Sequence, residues 1–79
     1  MLTNDQMTKN RYGRMYNARK LYNGIMEELG KGLRIQVTTH TTSKIYSQTS
    51  QFKLGKYSVY VSRGNNWDCI DYASVRSVR

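Results

Sequence analysis

Hydrophobic side chains between residues 14 and 29 recur at helical spacing. At about 100° per residue, one face is apolar and consists of Met15, Ala18, Leu21, Tyr22, Ile25, Met26 and Leu29. The opposite face carries Tyr16, Lys20, Asn23 and Glu27. We therefore predict an amphipathic helix over 14–29 that ends at Gly30, where Glu27 and Lys31 are spaced as a favourable i,i+4 ion pair.

The segment before this helix is polar and only weakly periodic. Thr3 and Gln6 have the spacing of a capping box, which favours at most one or two helical turns. Gly13 then interrupts the chain and favours a break or kink there. We expect residues 1–12 to be loosely ordered.

After Gly32 the hydrophobic period changes to two. Leu33, Ile35 and Val37 alternate with polar residues, which predicts a half-buried strand that the threonine-rich stretch 38–42 either extends or bends. Further strands are indicated over 44–48, 57–62 and 67–72, with 73–78 as an extension of the last, and 52–55 is expected to be a connection or the end of a strand. We expect a single α+β domain over 1–79, with the helix packed on an antiparallel sheet of three to five strands within 33–78. The other face of such a sheet can stay open to water.

The tight turn at 63–66 decides which aromatic side chains are exposed. A two- or four-residue loop places the apolar residues of its two strands on one side, namely Val59, Val61, Ile70 and Tyr72. The opposite side then carries Ser58, Tyr60, Ser62, Trp67, Cys69 and Asp71. A three-residue loop reverses the two sets and buries Trp67, because a shift of one residue turns every side chain over. Turn preferences favour the even loop.

Charge adds a functional indication to this small domain. Thirteen Lys and Arg residues against five Asp and Glu give a net charge of +8. Five bases and no acid lie within 9–20, and six bases and no acid lie between Leu29 and Trp67. Such a surface attracts polyanions, of which nucleic acid is the commonest, or an acidic protein surface. The other interpretation is that the excess charge only keeps the protein in solution.

Residues suited to catalysis or metal binding are few. One cysteine, Cys69, and one histidine, His40, exclude an intramolecular disulfide scaffold and cysteine-rich or multi-histidine metal sites. The two would act as nucleophile and base only if the fold brought them together. Asp68 and Asp71 point to opposite faces of a strand, and the stretch 30–32 is too short for a phosphate-binding loop. We expect no catalytic activity, no cofactor and no metal.

Signals for secretion or membrane insertion are not evident either. The first residues lack the basic and apolar regions of a signal peptide, and no apolar run approaches about 18 residues. We expect a cytoplasmic protein (in the host cytoplasm if the protein is viral) without a membrane partner. An open edge strand, or Met15 and Met26 on the helix, would offer a surface for a homodimer.

Basic residues interleaved with aromatic residues make the most informative constellation. Nucleic-acid bases stack on aromatic rings while Lys and Arg hold phosphates, so the two residue types together favour a nucleic-acid surface. Tyrosine, tryptophan and arginine are also frequent anchors of protein–protein interfaces, and Trp67 could simply pack on Tyr60 across the hairpin. The candidate binding residues are Arg14, Tyr16, Arg19, Lys20, Arg34, Tyr60, Arg63 and Trp67.

The late turn running into Trp67-Asp68-Cys69, with a short chain of one helix and a small sheet, resembles small accessory proteins of bacteriophages, including anti-CRISPR proteins. The resemblance implies an alternative function, a stoichiometric inhibitor of a host defence complex that acts by protein–protein contact. It implies no role for any individual residue. The net charge of +8 excludes an acidic DNA mimic, so such an inhibitor would bind an acidic protein patch or nucleic acid within the complex.

Overall fold

The computed structural model describes residues 7–32 and 34–79, which form one α-helix and three small antiparallel sheets. The expected capping box at Thr3 and Gln6 and the apolar Leu33 lie outside the described residues. The elements in chain order are β1 (Thr8–Lys9), β2 (Met15–Tyr16), α1 (Ala18–Lys31), β3 (Arg34–Thr39), β4 (Ser43–Ser47), β5 (Phe52–Leu54), β6 (Ser58–Arg63), β7 (Asn66–Asp71), the 3-10 turn η1 (Tyr72–Ser74) and β8 (Val75–Val78).

The helix begins four residues later than the sequence predicts. Asn17 is its N-cap, with an extended backbone and a side-chain oxygen that accepts a hydrogen bond from the Lys20 amide at 2.8 Å. The residues before this cap, Met15 and Tyr16, pair with β1 instead, so the prediction of a helix from residue 14 was wrong. A capping asparagine explains the start, because it satisfies an amide that has no partner within the helix.

The far end of the helix also differs by two residues from the prediction. The helix continues through Gly30 to Lys31 and is capped at Gly32. The expected pair of Lys31 with Glu27 is present at 3.5 Å, and Glu28 lies 3.6 Å from the same ammonium group. In the described residues, no helix has both the length and the apolar character needed to cross a bilayer.

Replacing the cap tests how much this helix start matters. We expect Asn17→Ala to lower the free energy of unfolding by about 0.5–2 kcal/mol, because the Lys20 amide loses its partner. Urea denaturation followed by circular dichroism measures this. The matched control is Asn23→Ala, at an exposed position inside the same helix. Equal stability of the two variants would contradict a capping role for Asn17.

Strands β3 to β8 form two separate three-stranded sheets. The orders are β4-β3-β8 and β5-β6-β7, and all pairs are antiparallel. The prediction of one sheet within 33–78 was therefore too simple, and 73–78 does not extend β7. Instead, η1 redirects the chain at Asp71, whose carboxylate accepts a hydrogen bond from the Ala73 amide at 3.0 Å, and β8 then pairs with β3. The threonine-rich stretch forms the end of β3 and a turn, where the Thr39 amide donates to the Thr42 carbonyl at 2.8 Å.

Helix α1 packs against both three-stranded sheets, as expected for an α+β fold. Its predicted apolar face is buried at Ala18, Leu21, Ile25 and Leu29. The sheets contribute Ile35, Val37, Tyr46, Val59, Val61, Ile70, Tyr72 and Val75 to the same core. Met15 and Met26 do not share a helix face, since Met15 lies in β2. The helix face on which both methionines were expected is therefore not formed.

A polar contact joins the two sheets beside this core. Asp68 of β7 accepts hydrogen bonds from the Lys44 ammonium at 3.3 Å and from the Tyr46 hydroxyl at 3.1 Å, both in β4. The Asp68 side chain is only 19% exposed. A carboxylate at this depth needs such donors, because burying an unpaired charge costs free energy.

Candidate nucleic-acid interface

The β6–β7 hairpin has the even loop that turn preferences favour. Arg63 pairs with Asn66, so the loop consists of Gly64 and Asn65 alone. Gly64 has a φ of 59°, which glycine adopts without strain and which matches the first central position of a two-residue hairpin turn. The side chain of Arg63 lies outside what the structure describes. The predicted register of the hairpin is confirmed.

This register exposes the aromatic residues and buries the aliphatic ones. Trp67 is 52% exposed and Tyr60 is 38% exposed, whereas Val59 and Val61 are fully buried. Tyr60 is paired with Cys69, and Trp67 is paired with Ser62. Tyr60 and Trp67 therefore lie on one face as diagonal neighbours, within reach of a single ligand.

The ring of Tyr60 packs against the backbone of the neighbouring strand end on this face. It lies against Gly55, where an added Cβ would come within 2.6 Å of the ring carbon Cε2 and 2.8 Å of the Ser58 carbonyl oxygen. Only glycine leaves room for the ring in this arrangement. Lys53 of β5 is the cross-strand partner of Tyr60 and is exposed. We call the surface formed by Lys53, Tyr60, Trp67 and Cys69 the hairpin face.

A second surface lies where the loop before β2 meets the start of the helix. The Arg14 guanidinium lies 5.3 Å from the centroid of the Tyr16 ring, and the Lys20 ammonium lies 5.6 Å from the same centroid. The Arg14 guanidinium also donates a hydrogen bond to the Arg76 carbonyl at 3.2 Å, and the Arg76 guanidinium lies 5.9 Å from the Tyr12 ring. We call Tyr12, Arg14, Tyr16, Lys20 and Arg76 the basic corner.

Tyr16 takes a different part in this corner from the one predicted. It is only 7% exposed, because it lies in β2 opposite Thr8 and packs in the core rather than on the polar face of a helix. A base cannot stack on a ring that is covered in this way. Tyr16 instead serves as a platform that holds two cations, each by a cation–π contact.

Asn10 holds the loop of the basic corner in place. Its side-chain oxygen accepts hydrogen bonds from the amides of Tyr12 and Arg14, both at 3.0 Å. Its side-chain nitrogen donates to the carbonyls of Tyr72 at 3.1 Å and Val75 at 2.8 Å. All four bonds of this buried amide are therefore directed at backbone groups, and they fix the loop to the segment around η1.

The described carboxylates have partners of their own. Glu27 and Glu28 lie next to Lys31, Asp68 binds Lys44 and Tyr46, and Asp71 caps η1. Arg14, Lys20 and Arg76 are all exposed. Three cations are thus held close to two rings, and a bound anion would relieve their mutual repulsion.

Two predicted binding residues, Arg19 and Arg34, are in neither the basic corner nor the hairpin face. Arg19 is exposed in the first turn of α1, next to Lys20. Arg34 is exposed in β3 opposite Ser47 and is in neither named surface, although it lines a surface depression together with Ser62 and Gly64 of the hairpin. Sequence reasoning missed Tyr12, Asn10, Lys53 and Arg76. For Lys53 the signal was present in the alternation of β5, whereas Arg76 meets the corner only through tertiary structure.

His40 and Cys69 line one cleft, of about 310 Å³, together with Lys44, Asp68 and Asp71. This cleft lies between the two three-stranded sheets, where Lys44 and Tyr46 already bind Asp68. In the described residues, no group of three His, Cys, Asp or Glu side chains is arranged to hold a metal ion. The described residues of the cleft therefore do not form a candidate metal site, and the basic corner and the hairpin face remain the candidate binding surfaces.

Among the described residues, the basic corner and the hairpin face each combine cations with aromatic rings, and Lys56 also lies 5.8 Å from the centroid of the exposed Tyr57 ring. The basic corner presents three cations and one accessible ring, that of Tyr12, and the hairpin face presents two accessible rings and one cation. These features are those expected of a surface that binds nucleic acid or an acidic protein. Comparison of the chain with protein-family models, with curated proteins and with solved structures gave no match.

Proposed function

We propose that this protein is a small, non-catalytic nucleic-acid-binding protein that acts in the cytoplasm. The observation that carries the proposal is the basic corner, where Arg14 and Lys20 share the Tyr16 ring and Arg14 is bonded to the Arg76 backbone. The free protein holds these cations together in a chain of net charge +8. A phosphate backbone supplies anions at the regular spacing that several such cations can contact at once.

The hairpin face supports the same function with different chemistry. Its two exposed rings offer a stacking surface, and Lys53 beside Tyr60 adds a cation to it. Stacking is tolerant of sequence, since every base has a π-face, and phosphate contacts are independent of sequence. The proposed binding is therefore largely indifferent to base sequence.

Salt dependence tests this function. If Arg14, Lys20 and Arg76 each neutralise one phosphate, the slope of log K against log salt on duplex DNA is about −2.7. Affinity should then fall roughly 40-fold between about 50 and about 200 mM salt. Fluorescence anisotropy with labelled 20-base single strands and 20-base-pair duplexes measures it. Absence of binding to every probe at about 50 mM salt would overturn the proposed function.

An alternative function is a stoichiometric inhibitor of a nucleic-acid-handling complex, such as a host defence complex. The observation that favours it is the 52% exposure of Trp67, since a half-exposed tryptophan is a frequent anchor of protein interfaces. A pull-down from the native cytoplasm with and without nuclease separates the two functions. A partner protein retained after nuclease treatment, and bound again when purified, supports the inhibitor.

A further inference from the structure

The hairpin face differs from the basic corner in what it can recognise. Its two exposed rings lie on a three-stranded sheet whose central strand, β6, carries Tyr60. The major groove of duplex DNA admits an α-helix or a two-stranded ribbon. A face built on three strands is wider than such a ribbon, so it meets nucleic acid from outside the groove.

Stacked and paired bases present no free ring face to such a surface. In a duplex the neighbouring base pairs cover both sides of every base, whereas unpaired bases can be splayed out onto aromatic side chains. Tyr60 packs against Gly55, so part of its ring already contacts the sheet before any ligand arrives. A ring held in advance loses little conformational entropy on binding.

The cation of the hairpin face would contact the backbone of a bound nucleic-acid strand. Lys53 lies directly across from Tyr60, on the side away from Cys69. The acid on this face, Asp71, is opposite Ser58, at the other end of β7 from Trp67, and its carboxylate caps η1. Asp71 is a diagonal neighbour of Tyr60 in the opposite direction from Trp67. A phosphate next to the base on Tyr60 would therefore meet the Lys53 cation on the β5 side, away from that carboxylate.

We propose that the hairpin face selects single-stranded nucleic acid over duplex, with unpaired bases stacked on Trp67 and Tyr60 and a backbone phosphate at Lys53. This inference rests on the proposed function and names its ligand class. The basic corner then supplies affinity for phosphate in either kind of nucleic acid, and the hairpin face supplies the preference for unpaired bases.

Substitution of Trp67 provides the first test. The probes are labelled single strands of twenty thymidines and of twenty uridines, and a 20-base-pair DNA duplex. Trp67→Ala should weaken single-strand binding about 5- to 150-fold and leave duplex binding unchanged. The matched control is Tyr57→Ala, because Tyr57 is exposed to a similar degree but lies outside the hairpin face. The ratio of thymidine to uridine affinity shows whether DNA or RNA is the better ligand.

Protection of Cys69 provides the second test and needs no variant. Cys69 is the one cysteine of the sequence and is exposed beside Tyr60, so its alkylation by a maleimide reports on the hairpin face and the adjoining cleft. Saturating single strand should slow the alkylation at least tenfold, and saturating duplex should leave its rate unchanged. This result holds even if Trp67→Ala fails to fold.

The outcomes separate this inference from the function on which it rests. No binding of any probe at low salt overturns both. Equal binding of single strand and duplex, with Cys69 equally reactive in both complexes, overturns the inference alone. Single-strand preference with Cys69 protected, lost in Trp67→Ala but kept in Tyr57→Ala, supports it.

Discussion

Reversing the charges of Arg14 and Lys20 together should weaken nucleic-acid binding by roughly 100- to 1,000-fold at about 50 mM salt and lower the free energy of unfolding by about 1–2 kcal/mol. Under the proposed function, the double variant Arg14→Glu, Lys20→Glu would lose two phosphate contacts and place two carboxylates next to the nucleic-acid backbone. Both side chains are exposed, and each cation–π contact at such a site contributes about 0.5–1 kcal/mol to stability. Anisotropy titration measures the affinity, and a thermal melt shows that the fold is kept.

The control for this variant carries the same change in net charge at other positions. Arg34→Glu with Lys56→Glu changes two exposed residues that belong neither to the basic corner nor to the hairpin face. If binding depends only on the net charge of the whole molecule, the two double variants should lose the same amount of nucleic-acid affinity. A specific role for the corner predicts a much smaller loss in the control, and an equal loss would contradict it.

Asn10→Ala is expected to lower the free energy of unfolding by about 3–4 kcal/mol, the largest effect of any polar substitution proposed for this chain. The substitution deletes four hydrogen bonds and leaves two amides and two carbonyls without their partner. Each buried group left without a partner costs about 1–3 kcal/mol unless water reaches it. The free energy of unfolding of a domain of this size is roughly 5 kcal/mol, so this single substitution would remove most of it.

Urea denaturation of Asn10→Ala beside wild type gives this value, with Asn23→Ala as the exposed asparagine for comparison. Asn10→Asp is a sharper variant, since it keeps the oxygen that accepts from the Tyr12 and Arg14 amides but replaces the donor to the Tyr72 and Val75 carbonyls. It should be destabilised as well. A change within about 0.5 kcal/mol in both variants would show that Asn10 does not hold the loop.

The exposed aromatic face was predictable because it depends on local information. Alternation of side chains along a strand and the length of one turn decide which residues share a face. With Gly64 and Asn65 as the loop, Tyr60 and Trp67 had to lie together on the side away from Val59. The packed face of α1 followed from the same kind of rule, the helical repeat of Leu21, Ile25 and Leu29.

The basic corner was only half predictable. The sequence pointed to Arg14, Tyr16 and Lys20, but on the assumption of a helix that includes all three. The spacing of Tyr16 and Lys20 fits one helical turn, and the structure brings them together by a strand, a cap and a first turn instead. Periodicity alone does not show where a helix starts when a capping residue and a competing strand partner decide it.

The remaining features depend on pairings between distant parts of the chain. Nothing in the local pattern indicates that β8 leaves β7 and pairs with β3, or that Arg76 thereby reaches Arg14. The role of Asn10 is hidden for the same reason, since its partners Tyr72 and Val75 are far along the chain. One sequence does not reveal such contacts, because its local preferences are compatible with many arrangements of the strands.

The order in which the two surfaces form follows from these distances along the chain. A hairpin with a two-residue loop closes within about 1–10 μs, so β6 and β7 can present Tyr60 and Trp67 early. The bonds of Asn10 join residues 62 and 65 positions apart, and contacts of such long range form later, after most of the chain has lost its freedom. We therefore expect the hairpin face to form first during folding. The basic corner is expected to form only when the 10–14 loop docks on the 72–76 segment.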